Sequence, residues 1–163
     1  MRATLAPAPP SIFHGRFTVN LGVHIPCVAV LELNEARGRA ISDAHCEIRQ
    51  RLSDASKLGK DKWWPLDETV AQSGETVATA LIEYGLPFLD RYDSFSAIVA
   101  RHEIDGTLPF QNAGRSTLAV AIIHAACGDK VKAKKSFDDA RRLASDHAGF
   151  RQHVTDIQSR IGL

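Results

Sequence analysis

Three cysteines are all that the 163 residues contain, at positions 27, 46 and 127. An odd number with no C-x-x-C pair excludes a disulfide framework and the common zinc motifs, and a reducing compartment is the simpler setting. Long hydrophobic runs are missing too. The longest, Leu118 to Cys127, is interrupted by His124 and is far short of a membrane span. The opening residues, Met1 to Pro10, carry prolines in place of a continuous apolar core, which excludes a secretory signal and leaves a cytoplasmic location as the expectation. No Gly-rich phosphate loop, Gly-x-Ser-x-Gly elbow or His-Glu-x-x-His helix occurs. Neither a cofactor nor a metal is therefore expected, and the balance leans away from catalysis.

Charge is also scarce in net terms, at +1, but it is uneven: residues 1–42 carry +2, residues 43–129 carry −5 and residues 130–163 carry +4. The basic end holds Lys130, Lys132, Lys134, Lys135, Arg141 and Arg142, interleaved with Asp138 and Asp139. The one aromatic between Lys130 and Arg142, Phe137, falls on the apolar side of the helical period, so this is a solvated helix face and nucleic acid is not an expected partner.

Two alternating stretches are present. In Phe17 to Ile25 the odd positions Phe17, Val19, Leu21, Val23 and Ile25 are apolar, while Thr18, Asn20, Gly22 and His24 take the other side. In Ala44 to Leu52, Ala44, Cys46, Ile48 and Leu52 share a face with Gln50, and His45, Glu47, Arg49 and Arg51 oppose them. The two-residue period predicts half-buried strands, although Ile41, Ala44, Ile48 and Leu52 also fit a helix behind Ser42. Pro26 is expected to close the first strand, with Cys27 to Leu33 continuing it or pairing beside it.

After Trp63-Trp64-Pro65 the period becomes helical. Val70, Val77, Leu81 and Tyr84 predict a helix capped by Gly85, and Pro87 opens another that Asp93 or Ser94 renews. Residues 101–114 read as a loop. Ser116 is expected to cap an almost wholly apolar and hence central helix over 118–127, followed by a helix burying Ala133, Phe137, Ala140 and Ala144. Asp146 is expected to cap a last one with Phe150, Val154, Ile157 and Ile161 in a stripe. The fold class is thus α+β: a small antiparallel sheet near the N-terminus packed against several helices, ending in a helical hairpin plus one helix. Residues 1–16 read as a flexible Pro/Ala-rich tail and 17–163 as one domain.

The polar sheet face is the first candidate site. Asn20 and His24 on one strand with His45, Glu47, Arg49 and Arg51 on the other could hold a phosphate or carboxylate, because guanidinium forks match those oxygens. The plainer alternative is a cross-strand pair between Glu47 and an arginine. Trp63 and Trp64 cannot both face inward, so one is expected in the core and the other as a candidate wall for a ligand. A zinc site from His24, Cys27, His45 and Cys46 fails on the pleat, which points 24 and 27 to opposite sides.

Gly128, Ala133, Phe137, Ala140 and Leu143 resemble the second half of a tetratricopeptide repeat, with Ala121 and His124 standing where the repeat usually has glycine and tyrosine. A wider resemblance runs over about residues 17–92. Phe17-Thr-Val-Asn-Leu-Gly-Val, Cys46-Glu-Ile-Arg-Gln-Arg-Leu52, Lys60-Asp-Lys-Trp-Trp64 and Gly85-Leu-Pro-Phe-Leu-Asp90 are similar to successive blocks of the bacterial family known as domain of unknown function 4304. That resemblance implies a small α+β domain of bacterial origin and supplies no catalytic residues. Members usually carry a further segment before the first block, where this chain has its proline-rich tail. An edge left open along Phe17 to Ile25 leads to the expectation of a homodimer. In function the chain is expected to be a non-catalytic protein-interaction module, the alternative being an enzyme or small-ligand binder acting on an anionic compound.

Overall fold

The computed structural model describes residues 15–32, 46–55 and 62–163. The expected tail up to residue 14, the turn at 34–38, His45 and Lys60-Asp61 lie outside them. The described residues form two compact units, one of residues 15–24, 46–55 and 62–93 and the other of 25–32 and 94–163. The fold is α+β and mostly helical, as the periodicities predict. Among the described residues no helix is long and apolar enough to cross a membrane.

The first unit holds the strands. β1 (Arg16–Phe17) pairs antiparallel with β4 (Trp64–Pro65), and β2 (Asn20–Val23) pairs antiparallel with β3 (Ile48–Arg51). The single strand expected over 17–25 is therefore two short ones with different partners. Thr18, at the switch between them, is buried at 9% exposure instead of joining the polar face. Leu21, Val23, Ile48 and Leu52 are fully buried, so the period of two survives the break. The strand expected over 44–52 stops at Arg51, and Leu52–Ala55 turns into the short helix α2. The Leu52 N–H still donates to the Val19 carbonyl at 2.9 Å, continuing the ladder by one pair. Gly22, at the centre of β2, is buried.

Helix α3 (Val70–Ala80) does not end at Gly85. It passes through a wider π turn, Leu81–Gly85, into α4 (Leu86–Asp90), and the Leu86 N–H reaches back to the Leu81 carbonyl. Pro87 explains the widening, because its ring would strike the carbonyl four residues earlier in a tight α turn. Gly85 keeps right-handed helical angles, so it is not a cap. It is buried, and a Cβ there would stand 3.1 Å from Leu81 Cδ2 and 3.5 Å from the δ carbons of Leu21 and Leu52. Its missing side chain lets the helix lie close on the β2–β3 core.

The second unit is helical. Pro26 starts α1 (Pro26–Glu32), which corrects the expected continuation of strand: proline at the first helical position sacrifices an N–H that has no partner there in any case. Helix α5 (Phe95–Asp105) is capped by Ser94, whose hydroxyl accepts from the Ala97 N–H, and ends on left-handed Gly106. Helix α6 (Ala113–Ala126) is capped by Asn112 and not by Ser116. Ser116 is fully buried inside the helix, where its Oγ accepts from the Leu108 N–H at 2.9 Å. The loop expected over 101–114 shrinks accordingly. Residues 116 to 123 of α6 are all buried, which makes it the central helix that its composition predicts.

Helix α7 (Lys130–Leu143), capped by Asp129, folds back on α6 and buries Ala133, Phe137 and Ala140. The three small or aromatic side chains let the two helices approach closely. The last helix, α8 (Ala148–Ile161), starts after His147 and has no side-chain cap from Asp146; it buries Val154 and Ile157. Its end is tied to α1 by Arg160, which donates to the Leu31 carbonyl at 2.9 Å.

Phe137→Ala should destabilise the protein by about 3–5 kcal/mol in chemical denaturation, since a fully enclosed phenyl ring leaves a cavity. A loss below about 1 kcal/mol would contradict the α6–α7 packing. Asn112→Ala, which removes an exposed cap, should cost about 1 kcal/mol. Ser116→Ala should cost more, about 1–3 kcal/mol, because it strands the Leu108 N–H away from water.

Candidate functional site

The β2–β3 register assembles the polar face. Asn20 lies opposite Arg51, Gly22 opposite Arg49, and Leu21 and Val23 opposite Gln50 and Ile48. Directly opposed residues of an antiparallel pair point to the same side. Asn20, Gly22, Arg49 and Arg51 therefore share one face, and the aliphatic residues with Gln50 share the other. One pair further along, His24 Nδ1 stands 3.6 Å from Glu47 Oε2, with side-chain exposures of 13% and 7%. Glu47 thus has an imidazole for a neighbour across the ladder.

This leaves the two guanidiniums in different settings. Arg51 lies over the Trp63 ring, with Cζ 5.8 Å from its centroid, a cation–π arrangement that steadies the side chain. Arg49 faces Gly22, which has no side chain to meet it. Among the described residues Arg49 has no ion-pair partner. Both arginines are half-buried, so their charge sits close to the sheet.

The tryptophan doublet divides as the pleat requires. Trp64 is 2% exposed, packs on Phe17 at 5.9 Å between ring centroids, and belongs to the core. Trp63 is half-buried beside Arg51, so of the two it alone borders the polar face. Lys62, whose Nζ stands 5.8 Å from the centroid of the Trp64 ring, was not singled out in the sequence; its place beside the doublet was the available signal. Among the described residues no group of three or more His, Cys, Asp or Glu side chains converges as a metal site.

A family model matches residues 10–91, half of the chain and all of the strands and helices that carry this face. The chain belongs to the family described as Domain of unknown function (DUF4304). No curated protein and no solved structure matches it. The DUF4304 region thus contains the polar face entire, whereas α5 to α8 lie beyond it.

Replacing Arg49 and Arg51 together by alanine should leave the fold intact, with a stability change within about 1 kcal/mol by urea denaturation, because charges on the outer face of a sheet contribute little to stability. Gross unfolding would show that they close a buried network.

Proposed function

We propose that the chain is a non-catalytic binding module that holds an anionic group, a carboxylate or phosphate, on the β2–β3 face through Arg49 and Arg51. The observation that carries this is the pair of same-face guanidiniums two residues apart on β3, one facing a glycine and the other braced by Trp63. Two forks at that spacing match the several oxygens of a carboxylate or phosphate, and a partly desolvated setting strengthens each charge-assisted hydrogen bond. Among the described residues of this face, His24 and Glu47, the groups suited to proton transfer, are turned toward each other with little exposure. That supports binding over turnover. The anionic group belongs to a small molecule or to an acidic side chain of a protein partner, a second copy of the chain included.

Thermal-shift measurements with orthophosphate, a nucleotide, a sugar phosphate and a dicarboxylate test the first source. An anion at about one hundred times its Kd adds about 2.7 kcal/mol to stability, and the shift should vanish in Arg49→Ala/Arg51→Ala. Light scattering after size exclusion tests the second copy, which requires a dimer that the same double variant dissociates. The proposal fails if the wild type neither responds to any anion nor self-associates, or if either response survives loss of both arginines.

A further inference from the structure

The helical unit carries a cleft of about 450 Å³ between α5, α6 and α7, within the size range of small-molecule sites and outside the DUF4304 match. Thr117 on its α6 wall donates its hydroxyl proton to the Ala113 carbonyl at 2.8 Å, so toward His102 Nε2, at 3.3 Å, it can only accept. His102 of α5 therefore carries its neutral-state proton on Nε2 and keeps a basic lone pair on Nδ1. His124, further along α6, lines the same cleft. From α7 come Lys135 and the Arg142–Asp139 pair, joined at 3.0 Å. Lys132 is engaged with Asp129 at 3.6 Å. Among the described residues Lys135 has no ion-pair partner.

We propose that this cleft binds a single small oxyanion, a phosphate monoester being the fitting class, with Lys135 as its fixed charge and His102 and His124 as groups that take up protons when it binds. Burial holds both imidazoles below the ordinary histidine range, and each also feels surrounding charges. Glu103 draws both upward and Asp129 draws His124 upward, while His124 pushes His102 downward and Lys132 pushes His124 downward. The lowered values leave both rings largely uncharged near neutral pH. A bound dianion supplies the missing counter-charge and raises their proton affinity, so by linkage its own affinity rises as pH falls.

Sulfate is the probe, because it keeps both charges between about pH 8 and about pH 6, where histidine titrates. The titration uses the full chain carrying Arg49→Ala/Arg51→Ala, so that binding on the sheet face cannot contribute and the two proposals fail separately. His102 and His124 ring resonances should shift saturably with sulfate, and the apparent Kd should tighten on acidification across that range. Adding Lys135→Ala should weaken binding about tenfold or more, the loss of one charge-assisted hydrogen bond. Lys134→Ala, which removes the neighbouring charge outside the cleft, should not; both lysines are exposed, and circular dichroism checks that each variant keeps its helices. Absence of a saturable shift, equal weakening by the two lysine variants, or an affinity indifferent to pH would each overturn the proposal.

Discussion

The register of β2 against β3 is the constraint on which the polar face depends. Leu21, Val23, Ile48 and Leu52 are fully buried on one side of the ladder, and that burial leaves one alignment acceptable. A slip of a single residue would turn Arg49 and Arg51 inward and bring the aliphatic side chains out. The cost of desolvating two guanidiniums, added to the lost apolar burial, excludes it. The same alignment brings His24 to Glu47 and sets a glycine before Arg49, so the chemistry of the face follows from the packing behind it.

That packing needs the close approach at Gly85. The core side of the ladder meets a helix so near that a Cβ at Gly85 would already touch the leucine methyl groups of β2 and α2. Pro87 would break a regular helix there, and the π turn before it absorbs the mismatch while the helical path continues. Glycine and proline thus serve this region as packing devices within one continuous helix, although in sequence they look like an end and a new beginning.

In the helical unit α6 plays the corresponding part. Its run from Ser116 to Ile123 is buried on every side, so the neighbouring helices of that unit order themselves around it. Its polar residues survive by finding partners: Ser116 takes the Leu108 N–H, and Thr117 takes the Ala113 carbonyl and the His102 ring. A cleft lined by imidazoles and a lysine beside such a helix follows from α5 and α7 each presenting a polar side to the space between them.

Periodicity alone was enough for much of this. The two-residue alternation separates Asn20, His24, Glu47, Arg49 and Arg51 from the core residues because a pleated strand has only two faces. The apolar helix over 118–127 is legible as central because a helix greasy all round has no side to turn to water. The stripe of Ala133, Phe137 and Ala140 is legible because its spacing puts the three on one face of an otherwise polar helix. Caps and breaks were not: Ser116 looks like a cap but serves a buried N–H eight residues earlier in the chain, and Gly85 looks like a terminus but makes room for leucines from two other elements. Pro26 reads as the end of a strand but starts a helix, and the packing of α1 decided it. By itself the sequence determined which residues share a face, since that depends on local backbone geometry. Which faces meet, that Arg49 stands before a glycine, that Glu47 meets His24, and that His102 and His124 share a cleft were decided by tertiary structure, because those distances are set by partners remote in the chain.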